Sequence, residues 1–233
     1  MAPPLRQERR SATVEDYVKT ILRAGRGPHR TASTTGVAEA LGVTPGSVSA
    51  MFKRLADLQL VVHVPYRGVT LTRDGERLAL RILRRHRLLE TFLVEHLGMP
   101  WDRVHAEADR LEHHLSEELE QRIAERLGEP GFDPHGDPIP AADGTMPVDD
   151  TVALAGLLPG QAGEVASVSD SQPEMLRYLS DVARIGPGTR FAVQDKQPFG
   201  GPLILRIGSR VVVLGATLAA SVQVRLARRP GAA

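Results

Sequence analysis

Residues 34–60 read T-T-G-V-A-E-A-L-G-V-T-P-G-S-V-S-A-M-F-K-R-L-A-D-L-Q-L, a pattern that predicts a helix-turn-helix. A short first helix turns Val37, Ala38 and Leu41 inward. Small Ala38 lets a second helix cross closely, and Gly42 supplies the left-handed turn residue. Thr44 is placed to cap the second helix, with Pro45 at its first position, where a missing N–H costs nothing. That helix buries Val48, Met51, Phe52 and Leu55, leaving Ser47, Ser49, Ala50, Lys53 and Arg54 on or beside its outer face. Short hydroxyls near a helix N-terminus, followed by cations, suit a major groove: the hydroxyls reach base edges and phosphates while the cations lie over the backbone. A plain helical hairpin with a polar face is the alternative reading.

Outward from this core the chain stays regular. Residues 60–72, L-V-V-H-V-P-Y-R-G-V-T-L-T, alternate and turn at Pro65 to Gly68, as a two-stranded wing would, with Arg67 at its tip for flanking phosphates or a minor groove. Upstream, Thr13 and Asp16 resemble a capping box, and Val14, Tyr17, Val18, Ile21 and Leu22 keep helical spacing until Gly25 and Gly27-Pro28. Asp16 there reads as a favourable charge in a first helical turn. Residues 1–11, rich in Pro and Arg, predict disorder.

Downstream, Thr72 caps a long helix over about 75–97. Its apolar set, Leu78, Ile82, Leu83, Leu88, Leu89, Phe92, Leu93 and Leu97, exceeds what one face can bury, which predicts a second surface shared with a symmetry mate. A polar helix over 116–127 completes that unit.

Residues 101–115, W-D-R-V-H-A-E-A-D-R-L-E-H-H-L, follow a break at Gly98 and Pro100 and predict a helix. At about 100° per residue, His105, Asp109, Glu112 and His113 fall at about 0°, 40°, −20° and 80°, on one face. Two imidazoles and two carboxylates in one arc suit a divalent cation, while a solvated charged face is the other reading. Upstream, 84–90 reads R-R-H-R-L-L-E, which sets His86 and Glu90 on one face of another helix, so two helices can close a site.

Composition bounds what such a site serves. The chain has 233 residues and no cysteine, which excludes disulfides, thiolate catalysis and Cys-held zinc or iron–sulfur centres, so any metal must be held by O and N. No apolar run approaches the roughly 20 residues of a membrane span, and M-A-P-P-L-R-Q-E-R-R carries no apolar segment of a leader; these features predict a cytoplasmic protein with no membrane partner. Residues 1–74 hold 11 Lys+Arg against 6 Asp+Glu, net +5, and the remainder 18 against 22, net −4. A basic N-terminal third fits a nucleic-acid reader fused to something else. After a Gly, Pro and Asp rich stretch at 128–150, short β-type runs at 163–168, 190–194, 203–207, 210–214 and 222–226, with a helical piece at 173–183, predict a small five-stranded barrel.

Winged helix-turn-helix, then H-R-L-L-E (86–90), H-A-E-A-D-R-L-E-H-H-L-S (105–116) and D-P-H-G-D-P-I-P (133–140), resembles the diphtheria-toxin-repressor family of metal-dependent regulators along nearly the whole chain. The resemblance implies a mainly α fold with a small β part: a DNA-binding domain over 1–74, a helical dimerisation and metal-binding domain over 75–140, a linker over 141–150 and an SH3-like (FeoA-like) barrel over 151–233. It implies a homodimer that represses metal-ion homeostasis genes by binding a palindromic operator in double-stranded DNA, with no small-molecule substrate.

Carried over from that resemblance, an ancillary metal position takes His86, Glu90 and His105, and a primary one Asp16, Asp109, Glu112 and His113. The iron-sensing branch has Met and Cys where this chain has Asp16 and Asp109, so the hard carboxylates resemble the manganese-sensing branch. Affinity for a given site rises from Mn²⁺ to Fe²⁺ and beyond, hence a Mn²⁺ sensor must select by oxygen-rich, higher-coordinate geometry. The expected cofactor is Mn²⁺, with Fe²⁺ the alternative and Co²⁺, Zn²⁺ or Cd²⁺ as substitutes in vitro. A first-helix Glu used by some manganese regulators aligns with Lys19, which puts their second metal position in doubt. In iron-type members the SH3-like domain also donates ligands, for which Glu174 is the nearest candidate, with Asp170 beside it. His29, His63, His96, His114 and His135 read as surface or packing residues.

An Fe²⁺-dependent repressor of the same architecture is one alternative. The other is a metallohydrolase, which needs an open metal position and a nearby base. The sequence offers no phosphate-cradling Gly loop and no nucleophile motif, and the resemblance places Asp16 of a DNA-reading segment among the ligands, which suits a switch rather than an enzyme.

Overall fold

The structure is a computed structural model that describes residues 11–25, 31–148 and 150–227. It divides into two units. Unit 1 comprises the described parts of Met1–His86, Asp109–Gln121 and Pro140–Thr145; unit 2 comprises Arg87–Ala108, Arg122–Ile139 and the described parts of Met146–Ala233.

In unit 1 the first helix, α1 (Ala12–Ala24), starts two residues earlier than the capping-box reading. Ser11, not Thr13, is the N-cap, its Oγ accepting from Val14 N. Val14, Tyr17, Val18 and Ile21 enter the core at the expected spacing. Residues 1–10 and the Gly27-Pro28 stop lie outside the described residues.

The helix-turn-helix follows as α2 (Thr34–Leu41) and α3 (Pro45–Asp57). Gly42 ends α2 at φ 64°, a left-handed conformation that a side chain would strain. Thr44 Oγ1 accepts from Ser47 N at 3.2 Å, and Pro45 opens α3. Val48, Phe52 and Leu55 are buried and Met51 is half-buried against the same core. The wing is β1 (Val61–Val64) paired antiparallel with β2 (Gly68–Leu71), Val61 opposite Leu71 and Val64 opposite Gly68. A bridge from Ala32 to Val69 ties the hairpin to the segment before α2.

Helix α4 (Arg73–Glu95) contributes to both units, and Thr72 Oγ1 caps it by accepting from Gly75 N at 3.0 Å. Leu78, Ile82, Leu83, Leu88, Leu89 and Leu93 are buried, while Leu97, just past its end, is exposed. The helix expected to begin at 101 is α5 (Val104–Leu111), which tightens into a 3₁₀ turn, Glu112–His114, before an extended Leu115. Ser116 then starts a new helix, α6 (Glu117–Arg126), its Oγ accepting from Leu119 N at 3.1 Å, with Glu117, Glu118 and Glu120 favouring its positive end. Glu112 and His113 thus sit on a turn with about three residues per revolution rather than on an ideal α-helical face.

The C-terminal part of unit 2 is a six-stranded antiparallel sheet in the order β3-β8-β4-β5-β6-β7. The strands are β3 (Val152–Ala153), β4 (Ala162–Val168), β5 (Arg190–Lys196), β6 (Leu203–Ile207), β7 (Arg210–Leu214) and β8 (Val222–Leu226). Short β3 is the strand the five-run reading lacked. β3 and β7 stand at the two ends of the ladder order, so the pairing among the described residues is that of an open sheet. Helix α7 (Pro173–Arg177) continues as a π turn, Tyr178–Ala183, and a one-turn α8 (Ala216–Ala220) precedes β8. Val165, Leu176, Leu179, Phe191, Leu203, Leu214 and Val222 fill the core, with Trp101 packed against it. Among the described residues, no helix is long and apolar enough to cross a membrane.

Candidate metal centres

In unit 1, helix α1 presents Glu15, Asp16 and Lys19 within just over one turn, α4 presents His86, and the α5 end with its 3₁₀ turn presents Asp109, Glu112 and His113. Glu112 is the hub. It is fully buried, accepting from Lys19 Nζ through Oε1 at 2.5 Å and from His86 Nδ1 through Oε2 at 2.7 Å. Asp109 Oδ1 meets the same two donors at 2.8 and 3.2 Å. Burial opposes the Asp109 charge, yet the His86 hydrogen bond and the Lys19 ammonium outweigh it and hold the carboxyl well below the usual carboxylate range.

His113 lies between two carboxylates, Nδ1 donating to buried Glu15 at 2.8 Å and Nε2 meeting Asp16 at 3.0 Å. These bonds, Asp16's first, push its imidazole up to about 9. Asp16, Glu112 and His113 each offer one ligand atom within 4.8 Å of the others, and so do His86, Asp109 and Glu112. The Asp16 and Asp109 side chains are 42% and 45% exposed, which leaves the cluster open to ions from water.

Unit 2 holds two further groups that share Glu90. In one, His105 Nδ1 meets Glu90 Oε1 at 3.1 Å and Asp170 Oδ2 at 2.7 Å. In the other, Glu90, Asp133 and His135 are all buried with ligand atoms within 4.8 Å of one another. The loop D-P-H-G-D-P that carries them is pinned from several sides. Asp133 Oδ1 accepts from His135 N and Asp137 N, both at 2.9 Å. The buried Arg87 guanidinium lies 3.5 Å from Asp133 and 3.2 Å from Asp137 and donates to Pro138 O. Gly136, at φ +87°, has no room for a side chain, because a Cβ would stand 2.0 Å from Ala166 O.

His135, which the sequence reads as a surface or packing residue, is fully buried and also lies within ligand reach of Glu90 and Asp133. Its ring stacks on Trp101 and its Nε2–H donates to Trp101 O at 2.8 Å. The other nitrogen, Nδ1, is buried with no hydrogen-bond partner among the described residues and stands 4.0 Å from Glu90 Oε2. Burial, then the neighbouring charges of Glu90 and Asp137, push the Asp133 carboxyl up. A buried imidazole nitrogen without a hydrogen-bond partner, beside two carboxylates of which one resists ionising, fits a divalent cation, as does the all-O,N donor set of unit 1. In both units an anchored imidazole has its remote nitrogen fixed by an oxygen, Glu15 for His113 and the Trp101 carbonyl for His135, the support that metal-bound histidines use.

His86 stands one helical turn before Glu90 on α4. Asp170, not Glu174, meets His105; Glu174 is exposed in the first turn of α7 and joins no ligand group among the described residues. Asp133 and His135 lie on an irregular loop where periodicity is silent, and their signal was D-x-H-G-D, two turn-forming aspartates around a histidine. Glu15 was hidden in an apparently ordinary first helical turn, and Lys19 stood out in the sequence only as a departure from the family pattern. His63, His96 and His114 are exposed, and His29 lies outside the described residues.

On α3 the side chains of Thr44, Ser47, Ser49, Ala50, Lys53 and Arg54 are all exposed, and so is Arg67 at the tip of the wing. Thr44 and Ser47 share a 2.9 Å hydroxyl contact, and Ser49 Oγ donates to Pro45 O at 3.0 Å, so the hydroxyl face is pre-set by the cap.

A winged helix-turn-helix joined to O,N-lined acid and histidine clusters and followed by an antiparallel sheet domain defines a metal-dependent transcriptional regulator. Residues 10–69 match the iron dependent repressor N-terminal DNA binding domain, 72–141 the iron dependent repressor metal binding and dimerisation domain, and 152–226 the FeoA domain. The iron-dependent repressor IdeR of Mycobacterium tuberculosis is 33% identical over 227 residues, 91% of this chain and 96% of that protein. The HTH-type transcriptional regulator MntR of Lysinibacillus sphaericus is 39% identical over 115 residues, 48% of this chain and 80% of that protein. A manganese-dependent transcriptional repressor solved in complex with manganese is 42% identical, with a TM-score of 0.84 over 91% of this chain and 99% of that one. The chain belongs to the diphtheria-toxin-repressor family of metal-dependent transcriptional repressors. Family members are DNA-binding transcriptional regulators.

Proposed function

We propose that the protein is a Mn²⁺-activated repressor that binds a palindromic operator as a homodimer in the cytoplasm and controls metal-ion homeostasis genes. The observation that carries the metal choice is the oxygen-rich set in unit 1, where Asp16 and Glu112 join one imidazole, His113, and Asp109 shares the Lys19 ammonium with Glu112. Hard carboxylates suit Mn²⁺, whereas sulfur ligands would favour its competitors. The likeness to a manganese-dependent transcriptional repressor supports the same reading. The iron alternative keeps the support of IdeR, whose similarity runs along most of the chain.

In this reading Asp16, Glu112 and His113 hold the activating ion, with Asp109 beside them and Glu15 orienting His113. Glu90, with Asp133 and His135 on one side and His105 and Asp170 on the other, supplies a second position, and Glu174 joins neither group. A bound divalent ion supplies two positive charges, which offset the mutual repulsion of the carboxylates. Asp16 belongs to α1, while Glu112 and His113 follow α5; holding them together fixes α1, and with it the helix-turn-helix packed on Val14, Val18 and Ile21. Two recognition helices in a dimer then keep the spacing of about one helical turn that a palindrome demands. We read 1–74 as the DNA-binding domain, 75–140 as the dimerisation and metal-binding domain, 141–150 as linker and 151–233 as the SH3-like domain.

Replacing Asp16 with Met and Asp109 with Cys is expected to raise the Fe²⁺ and Co²⁺ response relative to Mn²⁺ in operator-binding titrations at buffered free metal. An unchanged metal ranking would reject the selectivity argument.

The dimer should form through residues 75–128, where Leu97, Leu111 and Leu119 stay exposed on the single chain. Sedimentation at micromolar concentration should give twice the chain mass; a monomer would contradict it. Lys53 and Arg67, with Thr44, Ser47, Ser49 and Ala50 around them, contact DNA in this reading. Removing either charge should weaken operator and random DNA alike and reduce the salt slope by about 1. A loss confined to the operator would mean that these residues read bases.

A further inference from the structure

Unit 1 contains two overlapping groups of ligand-type side chains, Asp16, Glu112 and His113 on one side and His86, Asp109 and Glu112 on the other, with Glu112 common to both. The second group already has a cation. Lys19 Nζ lies 2.8 Å from Asp109 Oδ1 and 2.5 Å from Glu112 Oε1, and its side chain is only 6% exposed. We infer that the Lys19 ammonium is a built-in cation that takes the position between His86, Asp109 and Glu112, so that unit 1 holds one divalent ion rather than a pair bridged by Glu112. The inference rests on the metal-centre reading above and deepens it by setting the stoichiometry of that site.

The geometry and the charges agree. Lys19 comes from α1, one turn after Asp16 and Glu15, so the helix that supplies a carboxylate to the metal group also supplies the tethered cation to its neighbour. A strongly hydrated ammonium gives up most of its water to be buried here, and it does so only because two carboxylates replace that water. A second divalent ion would have to displace Lys19 from both partners and leave a buried ammonium unpaired. His86 supports the same arrangement: its Nδ1 is turned onto Glu112 Oε2 and Asp109 Oδ1, so that nitrogen serves the carboxylates that hold Lys19. The tethered charge also lowers the net negative charge of the cluster without metal, which limits how strongly it attracts any passing cation.

The test uses the full-length chain and Mn²⁺ alone, read by equilibrium dialysis and by electron paramagnetic resonance. The parent should show no Mn²⁺–Mn²⁺ exchange broadening, and Asp16→Ala should take up one Mn²⁺ fewer per chain than the parent. Lys19→Glu should take up one more than the parent, with a new exchange-broadened signal from ions sharing Glu112. Lys19→Arg should bind the same number as the parent. A spin-coupled pair in the parent that Glu112→Gln removes would overturn the inference, and so would a folded Lys19→Glu with parental stoichiometry. The parent spectrum decides the matter even if Lys19→Glu does not fold. If Asp16→Ala takes up as much Mn²⁺ as the parent, the metal-centre reading itself fails, and the inference with it.

Discussion

Asp16→Ala is expected to leave a folded protein that no longer answers to metal. The residue packs no core side chain: Val14, Tyr17, Val18 and Ile21 carry the buried face of α1, and the Asp16 side chain is 42% exposed with its contact on His113 Nε2. Its loss should therefore barely move the thermal midpoint of the apo protein, while operator affinity in Mn²⁺ should drop toward the apo level. If occupied metal favours the operator-competent arrangement by even tenfold per subunit, a coupling of about 1.4 kcal/mol, two subunits give about a hundredfold in operator affinity. Loss of Asp16 should remove most of that. Metal uptake by Glu90, Asp133 and His135 should persist. Parental operator binding by Asp16→Ala in Mn²⁺ would reduce Asp16 to a favourable charge in a first helical turn.

Glu112→Ala should have the largest effect on the fold itself. Glu112 is fully buried and receives Lys19 and His86, both of which are also buried. Removing it leaves a buried ammonium and a buried imidazole without the carboxylate that both of them meet, and breaking a buried ion pair from one side costs about 3–5 kcal/mol. That is a large part of the stability of an ordinary domain. Denaturant unfolding of the apo protein should show a loss of this order, and Lys19→Met on top of Glu112→Ala should recover part of it by removing the stranded charge. Equal stability of Glu112→Ala and the parent would mean that the cluster is solvated and that its hub carries no strain.

Local chemistry made most of the scaffold legible. Gly42, Thr44 and Pro45 announced the turn between α2 and α3, because a left-handed stop, a cap and a helix-starting proline are each dictated by backbone sterics. Three strands, Leu203–Ile207, Arg210–Leu214 and Val222–Leu226, fall on the bounds that alternation and turn residues predict. β3 escaped because two residues carry no period, and the 3₁₀ turn at Glu112–His114 because only Ser116, a cap inside an otherwise helical run, marked the break.

The centre was legible in part. A shared helix face brought Asp109 and Glu112 together, and the family resemblance added Asp16, which α1 does bring beside His113. What stayed hidden depends on tertiary approach. Lys19 pairs across 90 and 93 residues, which no local pattern encodes. His135 stacks on Trp101, and its Nε2 is engaged by a carbonyl 34 residues away. Asp170 rather than Glu174 reaches His105 because the chain turns just after β4, before α7 begins.

The central claim is that metal held by Asp16, Glu112 and His113 switches DNA binding. The most direct test is fluorescence anisotropy of an operator selected from random palindromes in Mn²⁺, titrated with the full-length protein at buffered free Mn²⁺, Fe²⁺, Co²⁺ and Zn²⁺. Weak binding in chelator and a rise of about a hundredfold or more as free Mn²⁺ increases, with Mn²⁺ affinity tightened in turn by the operator, is the predicted result. Operator affinity that is the same in chelator and in every metal would contradict it.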